Sequence, residues 1–348
     1  MKIDLIVGAR PNFVKAAAIL QAAKDFPQHR FTLVHTGQHD CNSIMSDPYF
    51  RDLGLPQPDP SRILKMLDGM DTVTRLSRFV EWLGSVYTQD RPDAVMVVGD
   101  TDSTLAGALA AAKMNIPVIH VEAGLRTYDG IQEDVNRILV DAIAKKHYTT
   151  SDFADINLAA EGKKGIQVGN VMVDTLFRFL PYARQKYSRV GPYAVVTLHR
   201  AENTDNDLRA HSIIDAINQI GTYIPIIWPG HHRMARYAYA IGKHVQICPP
   251  MGYLKFIAAL ECAKFVITDS GGVQEEASAL NVACYTVRER TERPETVWHG
   301  TNHLVPDPSR LLSEVQRTIR RYPSHHDPVY KEGSAAKRIM EDLCETSF

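Results

Sequence analysis

Cysteine is scarce and scattered. The 348 residues hold five, Cys41, Cys248, Cys262, Cys284 and Cys344, with no CxxC pair among them. An odd, dispersed set excludes a disulfide framework and a cysteine-held zinc site, and points to a reducing cytoplasm. The fourteen histidines form no HExxH motif, so no metal is expected. Net charge is only −1, which excludes bulk attraction to nucleic acid or an anionic membrane. The longest apolar stretches are broken at Lys113 or Pro117, too short for a transmembrane helix, and MKIDLIVGARP reads as a strand rather than a signal peptide. No repeat or low-complexity tract is present. There is no GxGxxG after the first apolar run and no GxxxxGK[ST] anywhere, which argues against bound NAD and against a P-loop hydrolase.

What the chain does have is alternation. Short, β-branched apolar runs at 3–7, 31–36, 94–98, 117–121 and 147–150 are followed by a second set at 193–198, 225–228, 245–248, 265–268 and 282–287. Continuous apolar runs of this length fit parallel strands buried on both faces. Helical patterns lie between them, among them 101–114, 134–145, 207–221 and 274–280. The expectation is an α/β protein of two Rossmann-like doubly wound domains facing across a cleft. The division falls near 168–172, giving residues 1–169 plus a returning helical tail, 334–348, and a second domain over 170–333. The stretch 181–192 reads as irregular.

Open α/β sheets bind ligands beyond the carboxyl ends of their strands, so the polar residues there carry the functional reading. Gly8, Arg10 and Lys15 put positive charge around a helix N-terminus, although Pro11 could mark a plain strand-to-helix turn. Ser270-Gly271-Gly272 reads as an anion cradle or as an N-cap with flexible glycines. Asp100 and Asp102 suit catalysis or helix capping. Glu122 follows an apolar strand with no helix to cap. His199 stands at a strand end with Arg200 and Glu202, and His231 and His232 follow another strand. The segment TDSGGVQEEASAL sets a puzzle, because an anion site is followed at once by Glu275 and Glu276.

GARPNFVKAAAIL (8–20), TGQH (36–39), VVGDTDST (97–104), HVEAGLRT (120–127), EDVNR (133–137), VGNVMVDTL (168–176), TLHRAEN (197–203), TDSGGVQEEASAL (268–280) and RERTERPETVWHGTNHLV (288–305) occur in this order across most of the chain. Together they resemble the non-hydrolysing UDP-N-acetylglucosamine 2-epimerases. The resemblance implies a glycosyltransferase-B-like fold, a homodimer, a role in polysaccharide biosynthesis, and conversion of UDP-GlcNAc to UDP-ManNAc with no cofactor. The nucleotide leaves C1 as the C2 proton is removed, a glycal forms, and the nucleotide adds back with C2 reprotonated on its other face. It further implies that Asp100, Glu122, Glu133 and His199 are catalytic. Arg10, Lys15, Ser270, Gly271 and Gly272 would hold the diphosphate, Glu276 the ribose hydroxyls, and Arg293 the sugar or phosphates. The chain departs from the family pattern at Gln132-Glu133-Asp134, Arg200-Ala201, Asp102 and the segment 251–256, so the base and the sugar are less fixed than the reaction. Competing readings are another nucleotide sugar, a hydrolysing 2-epimerase, a glycosyltransferase and a silent nucleotide-sugar sensor.

Overall fold

The computed structural model of the protein describes residues 1–38, 48–64, 69–187, 191–230, 232–319, 329–330, 333–346 and 348. His39, Cys41 and His231 lie outside these residues, as does the side chain of His232. The chain divides into two compact units, Met1–Thr175 with Glu332–Phe348, and Leu176–Lys331.

The first unit runs β1 (Lys2–Val7), α1 (Arg10–Ala22), β2 (Arg30–His35), α2 (Pro48–Asp52), α3 (Thr72–Gln89), β3 (Ala94–Val98), α4 (Asp102–Lys113), β4 (Val118–Ala123), α5 (Gln132–Ile143), β5 (Lys146–Thr149), α6 (Asp152–Ala160) and β6 (Ile166–Gln167). Its parallel sheet has the order β2-β1-β3-β4-β5-β6. The order reverses between β1 and β3, and such a switch point opens a crevice at the carboxyl ends of the two strands. All five residues of β3 are buried, as the continuous apolar run predicts. Ile6, Val95, Val97, Leu105 and Val118 share one core cluster, and each large apolar side chain buried there contributes about 1.5–3 kcal/mol.

Helix α7 (Val171–Lys186) follows. It overturns the irregular reading of 181–186, because Pro181 sits inside it. The Pro181 ring is exposed while Leu180 and Ala183 are buried, so packing on the inner face carries the helix past the missing hydrogen bond.

The second unit continues with β7 (Ala194–Thr197), α8 (Ala201–Thr204), α9 (Asp207–Gly221), β8 (Ile226–Pro229), β9 (Val245–Cys248), α10 (Tyr253–Glu261), β10 (Phe265–Thr268), α11 (Gly271–Ala279), β11 (Ala283–Thr286), α12 (Pro294–Trp298), β12 (Asn302–Leu304) and α13 (Leu311–Ile319). Its parallel sheet has the order β12-β11-β10-β7-β8-β9, with the switch point between β7 and β10. The last helix, α14 (Ala335–Cys344), belongs to the first unit and packs on α1. Its N-terminus is capped by Asp174, which accepts from the amides of Ala335 (3.1 Å) and Ala336 (2.7 Å). No helix among the described residues is long and apolar enough to cross a membrane.

Candidate active site

In the first unit, polar residues converge where β1, β3 and β4 end. The chain leaves β1 through Gly8 and Ala9, whose amides donate to the Asn12 side chain (3.2 and 3.0 Å), and Asn12 Nδ2 donates to Val98 O (2.9 Å). This cross-strand tie sets the start of α1 beside the end of β3. Lys15, one turn into α1, is buried, and its Nζ pairs with Glu122. Arg10 behaves differently: it is exposed and its guanidinium lies over the Tyr49 ring at 5.4 Å.

Glu122 lies within β4 rather than after it. The β4–β5 register shifts between Val121 and Ala123, so Glu122 is the extra residue of a bulge, and its φ is +69°. A left-handed non-glycine residue costs about 1 kcal/mol or more and persists only where its surroundings impose it. Bulges re-aim side chains beside active sites. Gly99 makes room for the result: its φ is +76°, and a Cβ there would stand 2.9 Å from Lys15 Nζ and 3.2 Å from Glu122 Oε2.

Helix α5 supplies the counter-charge. Glu133, Arg137 and Asp141 recur every four residues and therefore share a face. Arg137, almost fully buried, meets Asp100 at 2.7 Å and Glu122 at 3.7 Å. Asn136 donates to Asp100 O (3.0 Å) and to Asp102 Oδ1 (3.2 Å). Asp102 also takes Arg75 at 2.6 Å, so the charge it adds is locally offset. Asp100 and Glu122 are thus gathered with Lys15 and Arg137 as two carboxylates and two cations. Glu133, half-buried in the first turn of α5, stands outside these pairs.

In the second unit, His199 follows β7 and Asp269 follows β10, on the two sides of the switch point. Buried Asp269 accepts from the amides of His199 (3.1 Å to each oxygen) and Arg200 (3.0 Å) and from Asn203 Nδ2 (3.1 Å), while His199 Nδ1 lies 3.0 Å from Oδ1. Burial pushes the Asp269 carboxyl up, but His199 and these donors outweigh it and hold the group below the usual carboxylate range. The ionised carboxylate commits His199 Nδ1 and fixes the orientation of a ring whose side chain is 43% exposed.

Ser270 takes the N-cap position of α11, and Ser270, Gly271 and Gly272 are half-buried at the helix N-terminus. A Cβ at Gly271 would stand 2.9 Å from Arg293 Cζ and 2.7 Å from Glu292 Oε1, so the missing side chain lets a guanidinium approach the helix start. Arg293 is itself buried between Glu275 (2.5 Å) and Glu292, and Glu292 also takes Arg288 at 2.7 Å. Glu276, one residue further on, is buried with a carboxyl pushed up to about 8 by desolvation, which the neighbouring Glu275 reinforces and a Tyr253 hydrogen bond only partly reverses.

A sequence model of the family described as UDP-N-acetylglucosamine 2-epimerase matches residues 21–344. The chain belongs to the UDP-N-acetylglucosamine 2-epimerase family. It is 37% identical to a UDP-2,3-diacetamido-2,3-dideoxy-D-glucuronate 2-epimerase of Pseudomonas aeruginosa, over 99% of this chain and 100% of the relative. It is 35% identical to the UDP-N-acetylglucosamine 2-epimerase of Methanocaldococcus jannaschii, covering 99% of each chain. A crystal structure of the M. jannaschii UDP-GlcNAc 2-epimerase in complex with UDP-GlcNAc and UDP superposes with a TM-score of 0.91 at 34% identity, over 99% of this chain and 100% of that one. The fold is therefore the two-domain, glycosyltransferase-B-like one, and the chain is an epimerase.

Sequence reasoning named most of the residues placed above as candidates but not three that hold them in position. Arg137 and Asp141 carried a signal, the four-residue spacing from Glu133 that puts all three on one helical face. Asp269 had only its position at a strand end, 70 residues from the histidine it orients.

Proposed function

We propose that this epimerase acts on a UDP-activated 2-acetamido sugar, converting UDP-N-acetylglucosamine to UDP-N-acetylmannosamine. The observation that carries the reading is the Asp100–Glu122 carboxylate pair, gathered by Arg137 and Lys15 at the β1/β3 switch point, with Glu122 aimed by a left-handed bulge. Inversion by elimination needs one group to take the C2 proton and another to return a proton on the opposite face. More than one carboxylate is therefore required, and Asp100, Glu122 and Glu133 are the candidates. The C2 proton is weakly acidic, so C1–O cleavage leads, positive charge develops on the ring, and ionised carboxylates stabilise it. The electron pair of the C1–O bond leaves with the diphosphate; loss of the C2 proton gives the glycal; re-addition at C1 with protonation at C2 completes the inversion.

The amide groups at Ser270, Gly271 and Gly272, with Arg10 and Lys15, are assigned to the diphosphate. His199, oriented by Asp269, is assigned to the leaving oxygen, and Glu276 to the ribose diol. Arg293 is assigned to shaping this N-terminus. The reaction needs no added cofactor or metal. The working form is taken to be a cytoplasmic homodimer. A second substrate, a UDP-2,3-diacetamido sugar acid, is favoured by the P. aeruginosa relative.

The test is proton NMR of the purified protein in D2O with each nucleotide sugar. The expected result is the C2 epimer carrying deuterium at C2 and no accumulating sugar without its nucleotide. Hydrolysed N-acetylmannosamine would refute the non-hydrolysing reading, and turnover of the sugar acid alone would move the substrate to the second class.

A further inference from the structure

Asp141, on the α5 face that carries Glu133 and Arg137, is fully buried and touches no part of the pair just described. Its two oxygens bracket the Glu122 bulge. Oδ1 lies 2.6 Å from His120 Nδ1, two residues before Glu122, and Oδ2 accepts from Gly124 N at 3.1 Å, two residues after it. The far nitrogen of the same histidine, Nε2, lies 2.8 Å from Gly99 O, in the residue before Asp100. The Gly99 amide in turn donates to Val121 O at 3.0 Å. One buried carboxylate is therefore linked to both turns that present carboxylates, to the Glu122 bulge through the Gly124 amide and His120, and to the Asp100 turn through the far nitrogen of that histidine.

The chemistry of the histidine strengthens the link. A carbonyl oxygen can only accept, so Nε2 must carry a hydrogen. Asp141 is held well below the usual carboxylate range: burial opposes ionisation, but His120 and Arg126, the latter at 2.8 Å, overcome it. At 2.6 Å, His120 Nδ1 and Asp141 Oδ1 share a short hydrogen bond. Arg126 also closes on Glu161 at 2.9 and 3.0 Å, so the group is paired throughout. Charge-assisted bonds of this kind are short and directional, and they impose a conformation that Glu122 would not adopt unaided.

We propose that Asp141, acting through His120 and the Gly124 amide, is the positioning residue for both Asp100 and Glu122. The inference rests on the epimerase reading of those two carboxylates. It makes the His120–Asp141 pair a device that holds two separate turns in one register. Displacing a reacting group by about 1 Å costs on the order of 100-fold in rate.

The test uses the full chain with Asp141→Ala, Asp141→Asn and His120→Phe, each measured for thermal unfolding, UDP affinity, and kcat and KM for the substrate established by NMR. The amide of Asp141→Asn can donate to His120 Nδ1 while its oxygen accepts from Gly124, so that variant keeps the bracket without the charge. The expected result is a kcat lower by about 100-fold in Asp141→Ala and His120→Phe, with KM and UDP affinity within about threefold of the parent, and recovery to within about tenfold in Asp141→Asn. If Asp141→Ala does not fold, the contrast between His120→Phe and Asp141→Asn decides. A kcat unchanged within about threefold, or a loss that tracks loss of folded protein and of UDP binding alike, overturns the inference and leaves the epimerase reading standing. An unmutated protein inactive on every UDP sugar overturns both.

Discussion

Glu276 offers the sharpest test of how this site handles its ligand. The carboxyl is buried in α11 and pushed up to about 8 from its ordinary 4.5. Near neutral pH the unliganded protein therefore holds it mostly protonated. A ribose diol presents two hydroxyl hydrogens to Glu276 in the proposed complex, and both are best accepted by the ionised form. Ligand binding then drives ionisation and releases a proton. One pH unit below the pKa, ionising the group costs about 1.4 kcal/mol, and the apparent affinity is reduced by the ionised fraction. The expected UDP-GlcNAc affinity rises about tenfold per pH unit on the acid side, about 50-fold from pH 6 to pH 8, and levels off above that. The diphosphate diester is fully ionised throughout the window and adds no slope of its own.

Isothermal titration calorimetry in two buffers of different ionisation enthalpy measures both affinity and proton release, which should approach one proton per ligand near neutral pH. Glu276→Gln should bind more weakly above pH 8 and show no slope. The unliganded fold responds with the opposite sign. A carboxyl whose folded pKa exceeds its unfolded value binds its proton more tightly in the native chain. Its contribution is fully present below 4.5 and is lost as pH rises through about 8, so the thermal midpoint relative to Glu276→Gln should fall across that range. A pH-independent affinity, or a slope that survives Glu276→Gln, would refute the diol assignment.

Other perturbations separate chemistry from scaffold. Asp100→Asn, Glu122→Gln and Glu133→Gln should each keep UDP binding and lose about 10²–10⁴-fold in kcat, measured by single-turnover deuterium incorporation at C2; loss of binding with kcat intact would count against their assignment. Gly271→Ala should destabilise the protein by about 1–3 kcal/mol and weaken UDP binding, because the added methyl meets an Arg293 held in place by Glu275; thermal unfolding with and without UDP reads both effects. Asp269→Asn should cost about 1–3 kcal/mol by weakening four bonds to a buried carboxylate and should lower kcat more than KM, since His199 loses the group that fixes its ring.

The fold was legible because parallel strands buried on both faces leave continuous apolar runs, and ten of them stood clear of their surroundings. Two strands were not seen. β6 and β12 have two and three residues, at sheet edges, too short for any pattern to emerge. Pro181 misled for the opposite reason, since a local breaker was overridden by packing that no local window contains. The site was half legible. Residues at strand ends could be gathered by the switch-point rule, which needs only strand order. The pairs that hold the candidate site together join residues 107 apart, as in Lys15 with Glu122, or 70 apart, as in His199 with Asp269. Sequence marked Glu122 as a glutamate with nothing to cap; only the backbone reveals a left-handed bulge.

Glu275 and Glu276 show why adjacent, identical residues at a phosphate-type turn need not conflict with it. Successive residues on a helix point about 100° apart. Glu275 meets Arg293, which Gly271 admits to the helix start; Glu276 meets the Tyr253 hydroxyl and the charge of its own neighbour. The first carboxylate is neutralised by a cation, and Glu292 and Arg288 extend that pairing into a balanced set of two acids and two bases. Arg293 therefore brings little net charge to the turn, and attraction for an anion there falls to the amide groups of Ser270, Gly271 and Gly272 and the helix dipole behind them. The second glutamate, mostly protonated until a ligand calls for its charge, repels an arriving diphosphate least when the site is empty. A turn can take an anion beside two glutamates because one is already paired and the other is not yet ionised.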